Sequence, residues 1–418
     1  LAVYLLFSVA CFLTVHEHLH KGAKKARTAN YPVPSHPLNY AIHGIDYSRG
    51  MLYNINDSLE WYNISAKNDQ KLCERGNEMK KIIALLLALV MVFALCACGK
   101  TDSASGDKTV VGLVVAGAFG DRSFYDSSKE GVDKLASEFS NVEVKTIECN
   151  NENHDAQMRN AADVSNIVVC VGWEFYNVET IAPDYPEVNW IWVDNATSAP
   201  VSNVLNITYA QNEGSFLAGY IAAAMSDSGV VGAVGGEDSD TINDFIVGYK
   251  QGAEYYAAEK GGSVKVETNY SNDYDDPAKG KECAKALHDL GADVIFQIAS
   301  ACGDGVFEAA KEKGFYAIGV DSDQKYIDPD VIICSMKKEV GSSIYDAVKA
   351  YLAGDSRFGT TWTADMATGY VGIGYGDSGM TQQVPDEVKA AVEELAAKIA
   401  SGEIVVETTR AHTPRRSS

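Results

Sequence analysis

The sequence predicts an α/β protein of two doubly wound lobes, each a parallel sheet with helices on both sides and the two joined by a hinge. Three observations lead there. Strand-like runs that are apolar on both faces alternate with amphipathic helical patterns, which is the rhythm of parallel sheets buried between helix layers. From Cys98 onward 321 residues remain, enough for two domains of ordinary size. A polar break at Ser226-Asp227-Ser228-Gly229 then separates two series of similar make-up.

The strands are expected at 110–116, 142–147, 167–172, 188–194, 230–235, 264–270, 293–298 and 315–321, where β-branched residues dominate. Helices are expected at 212–225, 241–260, 277–290 and 304–313 from the spacing of their apolar positions. A further strand (331–336), a long helix (340–352) and a last helix (385–401) follow the second series. Lobe 1 is therefore assigned to 109–228 with part of 322–384, and lobe 2 to 229–321 with part of 322–407. Segments returning after the second unit take the chain between lobes more than once. In open α/β sheets ligands sit at the carboxyl ends of strands, so two facing lobes place their loops around one cleft.

Ahead of the lobes lies an export signal. Lys80 and Lys81 give a positive start, residues 82–95 an apolar run, and Leu95-Cys96-Ala97-Cys98 a small-residue cleavage pattern. Residues 79–97 are thus read as a lipoprotein signal peptide and Cys98 as the lipidated first residue of the mature chain. Cys96 fits less well, because bulky Leu95 precedes it. The run falls short of the about 20 residues of a membrane span. Residues 98–108 form a polar tether, and 408–418, with three arginines and no apolar period, a disordered tail. Residues 1–78 show no sustained period and are expected to be non-native upstream translation, disordered. His16-Glu17-His18-Leu19-His20 in that stretch matches the H-E-x-x-H zinc pattern, yet lacks a third ligand and a folded context.

Charge and cysteines exclude whole classes. The chain holds 35 Lys and Arg against 57 Asp and Glu, and after residue 97 the ratio is 25 to 50, so nucleic acid is not an expected partner. Cys149, Cys170, Cys283, Cys302 and Cys334 include no C-x-x-C pair and mostly sit in apolar runs, as buried small hydrophobes rather than disulfides or metal ligands do. An enzyme would need a nucleophile with its base, or paired carboxylates, at strand ends. His154, His288 and His412 occupy no such motif, and no catalytic residue, metal or cofactor is assigned. No basic helix-turn-helix precedes the first strand, which argues against a DNA-binding regulator.

Strand-end loops carry the most specific signal. Gly117-Ala118-Phe119-Gly120-Asp121-Arg122-Ser123-Phe124 follows the first strand, Gly172-Trp173-Glu174-Phe175 the third, and Ser300-Ala301-Cys302-Gly303-Asp304-Gly305 opens a helix. Asn212-Glu213-Gly214-Ser215-Phe216-Leu217-Ala218-Gly219, Ile318-Gly319-Val320-Asp321-Ser322-Asp323-Gln324 and Ser335-Met336-Lys337-Lys338 complete an ordered set. Together these closely resemble the basic membrane protein family, the nucleoside-binding lipoproteins of ABC importers, from about residue 110 to 352.

The resemblance implies a type I periplasmic binding protein fold, a nucleoside ligand, ABC permease and ATPase partners, a lipid anchor on the extracytoplasmic face of the cell membrane, and a monomer. It also implies roles. Asp321 and Lys338 correspond to the residues that hold ribose hydroxyls, and a carboxylate with an ammonium suits a vicinal diol. Gly303 and Gly305 would let backbone approach the sugar. Phe245 matches an aromatic that stacks on the base. Lobe 1 departs from the pattern: the family's two aspartates become Gly120-Asp121, its Ser-Phe-Asn-Gln becomes Ser123-Phe124-Tyr125-Asp126, and Lys129 stands where an aromatic is common. Tyr125 or Trp173 would then supply the second ring, and Asn177 falls near a base-reading aspartate. The rival readings are a ligand-sensing surface lipoprotein with a membrane signalling partner, and a binder of another small molecule such as a sugar.

Overall fold

The computed structural model describes residues 108–409, so the signal sequence, Cys98, the His16 to His20 motif and most of the expected tail lie outside the described residues. Twelve strands among the described residues form two six-stranded sheets. The first contains β1 (Thr109–Val115), β2 (Val142–Glu148), β3 (Ile167–Val171), β4 (Asn189–Val193), β5 (Val204–Tyr209) and β11 (Thr360–Ala364), in the order β11-β5-β4-β3-β1-β2. The second contains β6 (Val230–Gly235), β7 (Lys265–Tyr270), β8 (Val294–Ile298), β9 (Tyr316–Asp321), β10 (Ile332–Lys338) and β12 (Val371–Gly374), in the order β12-β10-β9-β8-β6-β7. Every pairing is parallel except β10 with β12. The central strands β3 and β8 are buried along their whole length, as their unbroken apolar runs require.

Helices cover both faces of each sheet. Lobe 1 uses α1 (Phe124–Glu138), α2 (His154–Ala162), the single turn α3 (Val178–Ile181) and α8 (Val340–Leu352). Lobe 2 uses α4 (Gln211–Met225), α5 (Asp240–Glu259), α6 (Pro277–Asp289), α7 (Gly303–Lys313) and α9 (Asp386–Ala400).

The change of lobe falls at Ala210, earlier than the break near residue 228 suggests. Helix α4 packs on α5, not on the sheet that precedes it, and Phe216, Leu217 and Ile221 join the same core as Phe245, Tyr249 and Phe296. Glycines force that choice: a Cβ on Gly248 would stand 2.1 Å from the Asn212 carbonyl oxygen, and one on Gly252 1.8 Å from that of Phe216. By the same exchange α8 returns to lobe 1, where Val340, Ile344 and Val348 pack with Val132 and Leu135 of α1. The chain therefore crosses three times, at Ala210, at Glu339 and between β11 and β12. Three strands of connecting backbone allow the lobes to rotate as rigid bodies while their cores stay intact.

Both sheets share one topology, β2-β1-β3-β4-β5 and β7-β6-β8-β9-β10. The strand order reverses between β1 and β3 and between β6 and β8, and crevices open at such switch points.

Candidate functional site

Loops from those two switch points line one cavity, whose space is about 690 Å³ when the open mouth is counted. Lobe 1 contributes Phe124, Tyr125, Trp173, Glu174 and Asp194. Lobe 2 contributes Phe245, Tyr274, Ser300, Asp321 and Lys338.

Lys338 is the centre of the polar half. It ends β10, is 2 % exposed, and its ammonium lies 2.6 Å from Asp194 Oδ2 at the end of β4, across the cleft. Three rings surround it, with centroids 5.1 Å (Phe124), 4.9 Å (Tyr209) and 5.2 Å (Phe245) away. A cation so caged is held by cation–π attraction as well as by its ion pair. Asp321 ends β9 and accepts from Ser123 Oγ of lobe 1 at 2.6 Å. Burial raises the Asp321 carboxyl to about 6 against the pull of Lys338. Burial likewise raises Asp194, with Lys338 opposing.

The backbone at these strand ends is strained in the same places. Asp194, Ser300 and Asp321 have φ of 72°, 49° and 62°, and Arg122 has 54°. Left-handed conformations in non-glycine residues cost of order 1–3 kcal/mol and cluster where a site over-determines them. Aspartate tolerates the region better than most residues, which suits two of the four positions.

The sequence candidates separate on this geometry. Tyr125, Trp173, Phe245, Asp321 and Lys338 all line the cavity. Trp173 is 47 % exposed, as a residue at the cavity's mouth would be, whereas Phe245 is buried and also packs toward Phe296. Asp121 is buried behind the wall. Its carboxylate accepts from the backbone N–H groups of Ser123, Tyr125 and Asp126 and from Ser300 Oγ, so it caps α1 and ties it to lobe 2. Asn177 lies outside the lining, its amide donating at 3.0 Å to both carboxylate oxygens of Asp155. Gly303 and Gly305 also lie outside. A Cβ on Gly305 would stand 1.7 Å from the Pro277 carbonyl oxygen, so this glycine lets α6 and α7 touch. Gly303 makes room for the Gln297 side chain in the same way. Lys129 points away from the cavity and pairs with Asp133 along α1.

Four residues with clear roles in the cavity were not singled out from the sequence. Phe124 ends the motif that follows the first strand, next to Tyr125. Asp194 closes an expected strand, and the rule that ligands meet strand carboxyl ends would have found it. Glu174 stands beside Trp173 in a strand-end loop, where the same rule applies. Tyr274, from the loop after β7, has no local signal at all.

The lobes also meet around the cavity rim. Arg122 pairs with Asp304, Gln324 Nε2 donates to the Arg122 carbonyl at 3.1 Å, and Asn151 donates to Asp275 at 2.9 Å. This is a closed arrangement. Among the described residues, no group of His, Cys, Asp or Glu is arranged to hold a metal, and no helix is long and apolar enough to cross a membrane.

Comparison with known proteins agrees on one family. The family model described as ABC transporter substrate-binding protein, PnrA-like, matches residues 108–410. Basic membrane protein A2 of Borrelia garinii subsp. bavariensis is 32% identical over 335 residues, covering 78% of this chain and 96% of its own. The ABC transporter nucleoside-binding protein BmpA of Lactococcus lactis subsp. cremoris is 29% identical, covering 78% and 97%. Among solved structures, an ABC transporter solute-binding protein from Aeropyrum pernix K1 superposes with a TM-score of 0.65 at 27% identity, over 73% of this chain and 94% of that one. Another from Conexibacter woesei, 21% identical with a TM-score of 0.59 over 72% of this chain and 99% of that one, shares the fold.

Proposed function

From the premise that the chain belongs to the PnrA-like family of ABC transporter substrate-binding proteins, we propose that it captures a purine nucleoside between its lobes and delivers it to a membrane permease. The two-lobed fold is that of periplasmic binding proteins. In this reading the permease works with ATPase subunits, the protein is a monomer that catalyses no reaction, and a lipid on Cys98 holds it at the extracytoplasmic face.

The observation that carries the reading is the grouping of Asp321 and Lys338, buried at two strand ends, with the part-buried Asp194 at a third, beside the rings of Phe124 and Phe245. Two carboxylates and an ammonium can satisfy both hydroxyls of a ribose edge, accepting from the O–H groups and donating to an oxygen. The rings offer flat apolar surface to a heterocycle. A relative whose name includes nucleoside binding supports the ligand class. The three crossings supply the motion: ligand bound by both lobes favours the closed form by its differential affinity, and a permease can tell closed from open.

The test is the melting temperature of the purified protein against nucleosides, free bases, ribose and simple sugars. A ligand at a hundred times its Kd stabilises by about 2.7 kcal/mol, a shift of a few degrees in a protein this size. Shifts with purine nucleosides but not with bases or ribose are expected. A response to a sugar alone would refute the reading.

A further inference from the structure

The cavity holds a carboxyl that the sugar-binding group does not use. Glu174 follows Gly172 at the end of β3, and its Oε2 is buried with no hydrogen-bond partner. Gly172 makes its place: with φ of 123° and no Cβ, it leaves the space that oxygen fills, 2.3 Å from where a Cβ would stand. A buried acceptor left without a donor is destabilising, and such groups persist where something else completes them. Lys338, the ammonium in the cavity lining, pairs with Asp194 rather than with Glu174.

Resting on the nucleoside reading above, we propose that Glu174 is the residue that selects the base, accepting as a carboxylate from the N–H donors of a 6-oxopurine. Guanine turns two adjacent donors, N1–H and the 2-amino group, toward such a carboxylate, and hypoxanthine turns one. Adenine presents a bare N1 lone pair at the same place, and a carboxylate has no proton to give it. Sites built around hydrogen bonds discriminate strongly because the wrong ligand leaves buried groups unpaired.

The surroundings add a pH dependence to this selection. Burial raises the Glu174 carboxyl to about 7, its own backbone N–H pulling the other way, and the carboxylates of Glu237, Asp194 and Asp275 add to the rise. Tyr125 of α1, Cys149 after β2 and Tyr274 after β7 also face it, and all three stay neutral through this range, since each is raised above its ordinary value. Protonated, the group becomes one donor and one acceptor, which adenine and a 6-oxopurine both match. Discrimination should therefore rise with pH. Asp321, which titrates nearby, acts on the ribose common to all these ligands and cancels from the ratio of affinities.

The experiment is calorimetric titration with guanosine, inosine and adenosine at pH 5.5 and 8.5, on the wild-type protein and on Glu174→Gln. Guanosine should exceed adenosine by tenfold or more at pH 8.5 and by less than threefold at pH 5.5. In Glu174→Gln, whose amide is a fixed donor and acceptor, the ratio should stay below threefold at both. Nucleoside binding with the same guanosine-to-adenosine ratio in the wild type and in Glu174→Gln at pH 8.5 overturns the role of Glu174 and leaves the nucleoside reading standing. Failure of every nucleoside to bind overturns both.

Discussion

The two sheets share one strand order and meet at one cavity, yet the sequence made lobe 2's contribution far easier to read than lobe 1's. Lobe 2 brings Phe245, Asp321 and Lys338 on segments that match a family pattern, each at or near the end of a buried element. Lobe 1 brings Phe124 and Tyr125 from a stretch where the pattern is broken, Trp173 and Glu174 from a strand-end loop that matches it, and Asp194 from the end of an expected strand. The chemistry itself is shared between the lobes: Asp194 of lobe 1 joins Asp321 and Lys338 in the polar half, and Phe245 of lobe 2 joins Phe124 among the rings.

Substitution at the contact between the lobes tests this sharing most severely. Lys338→Ala removes the cation from a buried pair and leaves Asp194 charged without a partner, which costs about 3–5 kcal/mol. A fall of several degrees in melting temperature is expected together with loss of ligand binding. Little change in stability would mean that the pair is not buried in solution. Asp321→Ala should act on one side only. It removes a charged acceptor worth about 1.5–3 kcal/mol to a ligand, so affinity for every nucleoside should fall by roughly ten- to a hundredfold while the fold survives. Unequal losses among bases would break the assignment of Asp321 to the sugar.

Legibility followed burial and period. The strands with unbroken β-branched runs, such as Ile167-Val168-Val169-Cys170-Val171, are apparent because both faces are buried. Strand β5 is hidden by polar residues whose partners are remote in sequence: Asn206 donates to Thr197 and Thr361. Edge strand β11, Thr360-Thr361-Trp362-Thr363-Ala364, reads as loop because half of it faces solvent, and β12 is interrupted by glycine. The transfer of α4 to lobe 2 was illegible for a different reason. It depends on which helix a glycine stripe fits, and that is a property of two segments together. In the site, strand ends were readable and Tyr274 was not, since only the fold brings its loop to the cavity.

Acid–base behaviour sharpens the comparison with a smaller effect. Glu174 in lobe 1 and Asp321 in lobe 2 both have carboxyls raised by burial, to about 7 and about 6. The folded form keeps protons that the unfolded chain has released, so these two groups stabilise the ligand-free protein most at low pH. Their contribution is lost as pH rises from the unfolded values of 4.5 and 3.8 through those folded values. Glu174→Gln should remove its share, so the variant gains melting temperature over wild type at pH 8 and much less at pH 5. An equal difference at both would show that the carboxyl is not desolvated.

The smallest expected effect lies at the rim, where the lobes touch without enclosing ligand. Arg122 of lobe 1 pairs with Asp304 of lobe 2, but its side chain is 41% exposed, and exposed pairs contribute about 0–1 kcal/mol. Arg122→Ala should therefore leave global unfolding unchanged within error. A bias of that size acts differently on an open–closed equilibrium, where about 0.8 kcal/mol is a fourfold change in population. Ligand affinity should weaken by no more than about fourfold, with the loss shrinking as salt rises, since the pair lies within reach of screening ions. A tenfold or salt-independent loss would place Arg122 among the groups that touch ligand, and the rim would then belong to the site.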